Sequence, residues 1–108
     1  QISRAGWIGD YLDPKSFLDM MVTGRGNNQT GWSNKMYDNL LIAAANSTSQ
    51  IQRFDNFYEA EKILMDEMPI IPIYTYTRIY MLHEDVQGWG NNLLDSRPYQ
   101  FVYLENKK

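Results

Sequence analysis

The sequence changes character at Pro69, and that change limits the folds open to it. Upstream, Tyr37, Leu40, Leu41 and Ala44 follow the i, i+3, i+4, i+7 pattern of an amphipathic helix between Asn34 and about Asn46. A longer stretch from about Ser49 to Glu67 carries Phe54, Phe57, Ala60, Leu64 and Met68 on one side. Asn46 to Ser49 separate the two, so a hairpin of antiparallel helices is expected. Downstream, Ile70 to Tyr76 is β-branched and aromatic, with Pro69 and Pro72 confining it to a sheet edge or a strand start, and Arg78 to Leu82 follows as a second strand. Strands at the ends and helices in the middle make the fold class α/β or α+β.

The flanks follow the same logic. Ile2 to Ala5 read as the end of a strand and Gly6 to Leu12 as a loop. Asp13-Pro14 is a helix start, because an Asp side chain accepts orphan N–H groups and Pro tolerates the first helical position. That helix should run to about Thr23, with Phe17, Leu18, Met20 and Met21 as its apolar face and Gly24 as its stop. Gly24 to Ser33 is a polar loop with three glycines, long enough to suggest a functional excursion. Past Gly88-Trp89-Gly90, a Leu93-Leu94 turn, a last strand near Gln100 to Leu104 and a frayed tail from Glu105 to Lys108 are expected. The first strand has no local partner and the chain starts at Gln1, mid-strand on this reading, so a piece of a larger protein is expected.

Composition excludes several functions. Net charge is −3 with no basic stripe, which removes the counterion-release drive for nucleic-acid binding. No run approaches the roughly 20 apolar residues that span a bilayer. Cysteine is absent and His83 is the sole histidine, so thiolate or His-based metal clusters and a self-contained His triad are ruled out; no cofactor or metal is expected. No G-x-S-x-G, P-loop, H-E-x-x-H or dinucleotide fingerprint is present.

Candidate chemistry gathers between Arg4 and Pro14, R-A-G-W-I-G-D-Y-L-D-P. Asp10, in a loop beside aromatic residues, is either an anion for a ligand ammonium or a loop Asp satisfied by backbone N–H groups. Asp13 is better read as the helix cap. Trp7 and Trp32 border glycine-containing loops, where rigid rings suit covering a ligand, although Trp7 also suits a core. Arg4 either clamps a carboxylate or pairs between strands. Asn27 and Asn28 offer donors and acceptors to a peptide backbone, or satisfy only their own turn. Asp10 and Asp13 as a glycosidase pair have no specific spacing to recommend them.

Four stretches, R-A-G-W-I-G-D-Y-L-D-P-x-S-F-L from Arg4, G-N-N-x-T-G-W-S-N-x-x-Y-D from Gly26, A-E-x-I-L-M-D-E from Ala60 and P-I-I-P-I-Y from Pro69, together resemble the C-terminal region of bacterial oligopeptide-binding proteins. These are solute-binding subunits of ABC peptide importers, often called solute-binding family 5. The resemblance implies the end of a two-lobed type II periplasmic-binding fold, with Gln1 to about Thr77 in the second large lobe and about Arg78 to Lys108 crossing the hinge back to the first. It implies binding without catalysis: an oligopeptide enclosed between lobes and delivered to a membrane permease. The location implied is periplasmic, or extracytoplasmic and membrane-anchored. Asp10 maps onto the aspartate that holds the peptide α-ammonium, Trp7 onto a side-chain pocket, and Arg4 onto a contact with the carboxylate of short peptides. Ile8-Gly9 stand where some peptide binders carry Cys-Ala, so pocket shape differs. Sugar- or metal-complex binding within the same family, a hydrolase using Asp10, and a module that self-associates through unpaired strands are the alternatives.

Overall fold

The computed structural model describes residues 2–105 except Asn91, Leu93 and Asp95. The chain divides into two compact units, Gln1–Pro72 and Ile73–Lys108. The first is helical: α1 (Lys15–Leu18) runs into a 3-10 turn (Asp19–Met21), and α2 (Lys35–Asn46) and α3 (Gln50–Glu67) form the expected hairpin. Both hairpin helices begin at side-chain caps. The Asn34 side chain accepts the N–H groups of Met36 and Tyr37, and the Ser49 hydroxyl accepts that of Gln52, satisfying donors a helix start leaves open.

The core lies in the seam of this hairpin. Tyr37, Leu41 and Ala44 of α2 meet Phe57, Ala60 and Leu64 of α3, with Met21 closing one end. Ala44 and Ala60 let the two backbones approach, while the larger residues fill the space between turns; each fully buried large side chain contributes roughly 1.5–3 kcal/mol. Of the apolar residues assigned to the α3 face, Phe54 is largely exposed and Met68 lies outside the helix. Met68 takes the left-handed conformation, φ 48°, and its N–H bonds the Leu64 carbonyl, so it ends the helix rather than extending its apolar face.

The helix expected over residues 13–23 is shorter than its pattern suggested, and other side chains explain why. The Asn28 amide donates to the carbonyls of Met21 and Val22, and Asp38 accepts the Thr23 N–H, so groups that a longer helix would pair internally are satisfied across the loop. Val22 is already extended, and Gly24 takes φ +73°. At the start of α1 the Asp13 side chain accepts the Lys15 N–H at 2.9 Å, as the capping role requires.

Asp13 has a second task. Its carboxylate also holds the Arg53 guanidinium of α3 at 2.7 Å, tying the α1 start to the hairpin across 40 residues of sequence. Burial pushes its pKa up, but the Lys15 N–H and the hydrogen bond and charge of Arg53 outweigh that and hold it below 3.8. Stability from a carboxylate with a depressed pKa is present above its unfolded pKa and lost as pH falls through the folded value. Arg53→Ala is therefore expected to cost about 1–2 kcal/mol near pH 7 in urea melts. The deficit should shrink when Asp13 is protonated near pH 2. What remains there belongs to the Arg53 stem and its guanidinium, 4.7 Å above the Phe57 ring.

In the second unit β1 (Val86–Gln87) pairs antiparallel with β2 (Tyr103–Leu104), Val86 opposite Leu104 and Gln87 opposite Tyr103. Gly88, at φ +78°, is required beside this ladder because a Cβ would collide with the Phe101 carbonyl. The last expected strand shrinks to residues 103 and 104, since Tyr99–Phe101 form a 3-10 turn. Strands expected at Ile2–Ala5, Ile70–Tyr76 and Arg78–Leu82 do not form. These segments are exposed, Ile79 at 94 % and Met81 at 98 %, and an extended backbone becomes a strand only when its N–H and C=O groups meet a neighbouring ladder. Among the described residues the strand pairing runs between Val86–Gln87 and Tyr103–Leu104 and does not include these segments. The expected Leu93-Leu94 turn and the tail after Glu105 lie partly outside the described residues.

Candidate functional site

The loop between Gly6 and Leu12 carries the residues of greatest chemical interest, and its shape is set by α1. The Trp7 indole N–H donates to the Ser16 carbonyl at 3.0 Å, and the Asp10 backbone N–H donates to the Ser16 hydroxyl at 2.7 Å. Between them Gly9 is buried against the Phe17 ring, where an added Cβ would stand 3.0 Å from Phe17 Cε2. Glycine is what lets the backbone lie this close to the ring. The half-buried Trp7 thus has its polar edge tied to the helix.

Of the three aspartates between Asp10 and Asp19, two are paired with cations. Asp13 holds Arg53, and Asp19 is paired with Lys15 and lies 3.8 Å from Arg25. The Asp10 carboxylate is exposed and, among the described residues, has no hydrogen-bond or ion-pair partner. The backbone-satisfied alternative for Asp10 therefore does not describe this loop: its own N–H is held, and its anionic oxygens face outward. Arg4 is exposed as well and already takes part in an interaction within the chain.

The second loop is stitched to the helical unit. Asn28 donates to the carbonyls of Met21, Val22 and Trp32, and its carbonyl oxygen accepts from the Thr30 N–H and hydroxyl. Every polar position of its amide is engaged within the loop. Trp32 and Tyr37 form a T-shaped ring pair, centroids 5.1 Å apart, and the Trp32 indole N–H donates to Glu67 at 2.7 Å. Glu67 also accepts from the Asn34 amide at 2.6 Å, so one carboxylate at the end of α3 anchors the loop and the start of α2. Asn27 is exposed, with no side-chain bond among the described residues. Ser16, Arg53 and Glu67 are the shaping residues that the sequence reading did not single out. A serine set among Phe17, Leu18 and Met21 was the one local sign of a buried polar task.

Two cavities lie elsewhere. One of about 610 Å³ is lined by Phe17, Phe54 and Tyr58 in the first unit, and one of about 390 Å³ by Arg78, Tyr80, Trp89 and Arg97 in the second; Asp10 lines neither. Among the described residues no group of three His, Cys, Asp or Glu side chains is arranged to hold a metal, and no helix is long and apolar enough to cross a membrane.

No protein-family model matches the sequence. Known proteins do. The dipeptide-binding protein DppE of Bacillus subtilis is 42 % identical over 88 residues, 82 % of this chain and 16 % of DppE. The oligopeptide-binding protein OppA of the same organism is 40 % identical over 89 residues, again 82 % of this chain and 16 % of the relative. Among solved structures, the periplasmic murein tripeptide binding protein MppA in its unliganded open form superposes with a TM-score of 0.71 at 32 % identity, over 91 % of this chain and 19 % of MppA. The chain thus spans under one fifth of the length of the proteins it matches. Its fold is that of a portion of a periplasmic binding protein, which places the helical hairpin and the short strands in a partial α/β architecture.

Proposed function

The chain belongs to the bacterial peptide-binding proteins of solute-binding family 5, and from that premise we propose that the intact protein captures oligopeptides by their amino terminus and hands them to an ABC permease. In this reading Gln1 to about Thr77 supply part of the second large lobe and about Arg78 to Lys108 return to the first, and the ligand is enclosed in the interlobe cleft of the intact protein. Asp10 receives the peptide ammonium, Trp7 walls a side-chain pocket, and Arg4 meets the carboxylate of short peptides. Asn28 and Trp32 act by shaping their loop, whereas Asn27 keeps its amide for the ligand. The protein works outside the cytoplasmic membrane, as the periplasmic names of several relatives suggest. It performs no chemistry on what it binds.

The observation that carries this reading is the exposed Asp10 carboxylate, which has no hydrogen-bond or ion-pair partner among the described residues, whereas those of Asp13 and Asp19 are both paired. An ammonium bound there gains a charge-assisted hydrogen bond, strengthened as closure removes water. The test is calorimetry on the intact protein with a short peptide and its N-acetylated twin. Acetylation should weaken binding about 100-fold. Equal affinity for the two would refute the amino-terminal assignment and favour a ligand without a free amine.

A further inference from the structure

We propose that Ser16 is the positioning residue of the amino-terminus site, fixing Asp10 and Trp7 together on the first turn of α1; this rests on reading Asp10 as the partner of the ligand ammonium. Ser16 is 4 % exposed and is the sole buried polar residue among those described. Serine is a mediocre helix former, and burying a hydroxyl is costly unless it is hydrogen-bonded. The cost is met by the loop: Oγ accepts the Asp10 N–H at 2.7 Å, and the carbonyl of the same residue accepts the Trp7 indole N–H at 3.0 Å.

Two ends of a four-residue segment are thereby fastened to one residue, with Ile8-Gly9 arching over Phe17 between them. The arrangement ties the backbone from which the Asp10 side chain projects to the position of the indole, so the base of the ammonium site and the adjoining wall are held by one residue. The Ser16 N–H is itself held by the Asp13 carbonyl at 3.0 Å, and Asp13 is held by Arg53. A path of direct bonds therefore runs from α3 through Asp13 and Ser16 to the backbone of Asp10. Ser16 touches no ligand. Its contribution is preorganisation: with Oγ removed, the Asp10 N–H loses its acceptor and the loop must be ordered at the moment of binding.

The experiment measures binding of a short peptide and of its N-acetylated form to the intact wild-type protein and to Ser16→Ala, Ser16→Thr and Asp10→Asn. Ser16→Ala is expected to raise Kd for the free-amine peptide about tenfold and to leave Kd for the acetylated peptide within about twofold. Ser16→Thr, which keeps the hydroxyl, should restore most of the loss. A merely structural role would weaken both peptides alike, and that result overturns the inference, as does an unchanged Ser16→Ala. If Asp10→Asn abolishes the preference for a free amine while Ser16→Ala does not reduce it, the inference fails and the reading of Asp10 stands. If Asp10→Asn leaves the preference intact, or the wild type shows none, both fail. Should Ser16→Ala not fold, amide hydrogen exchange of the wild type decides: the Asp10 N–H should exchange more slowly than those of Tyr11 and Leu12, and an unprotected Asp10 amide overturns the proposal.

Discussion

Asp10→Ala in the intact protein is expected to weaken binding of a peptide with a free amino terminus by about 100-fold or more, on the order of 3 kcal/mol. The size follows from what the substitution leaves behind. A peptide ammonium drawn into an enclosed site gives up water, and without the carboxylate it gains no opposite charge in return. A bond between two full charges is about twice as strong as one between neutral groups, so the loss should exceed that from any single backbone contact to the peptide. An N-acetylated peptide has no ammonium to strand and should be nearly indifferent to the change. This pairing separates the peptide reading from its rivals. A binder of sugars or metal complexes would show no such dependence on the amine, and a hydrolase using Asp10 would reveal itself by turnover that disappears in the variant. Melting curves should move little, because the Asp10 side chain is exposed and holds no other residue among those described.

What could be read from the sequence was what local chemistry decides. The starts near Asn34 and Ser49 were legible from where the apolar repeats begin, and in the structure the side chains of those two residues cap α2 and α3. The Asp13-Pro14 start was legible as well, but the length of α1 was not. Its end depends on Asn28 and Asp38, which return to residues 21–23 from later in the chain. The site divides along the same line. Asp10 stood out as a carboxylate in a loop, whereas the engagements of Trp32 and Asn34 with Glu67 span 35 and 33 residues and leave no mark in a local pattern. Asn28 was equally open to a ligand or to its own turn, and only the packed loop decided how its amide is spent. Residues 70–82 show the limit most clearly. Their β-branched and aromatic composition describes what they favour, and Tyr74 and Tyr76, two apart with centroids 4.7 Å from each other, keep the same-side relation of an extended chain. A strand, however, is a relation between two segments, and no composition names the partner.

Tyr37→Ala is expected to destabilise the protein by about 3–5 kcal/mol, the range for removing a large buried ring. Tyr37 is fully buried, at 0 % exposure, and it joins three parts of the helical unit. Its ring lies in the α2–α3 seam and forms a T-shaped pair with Trp32, and its hydroxyl donates to the Leu18 carbonyl at 2.6 Å. Burial, and after it the charges of Asp19 and Asp38, push the phenol above its ordinary pKa of 10.0, so it remains a neutral donor throughout the physiological range. Tyr37→Phe divides the effect. It keeps the ring and leaves the Leu18 carbonyl without its donor, for a cost of about 1–2 kcal/mol. Urea melts of the two variants should therefore be well separated, and near-equal losses would mean that the hydroxyl, not the ring, supports this region. The consequence reaches the candidate site because Leu18 is the last residue of α1, two positions beyond Ser16. If Tyr37 holds α1 in place by that bond, Tyr37→Phe should weaken peptide binding by a few-fold while the protein stays folded. An unchanged affinity would show that the Arg53–Asp13 pair suffices to keep α1 and its loop in register.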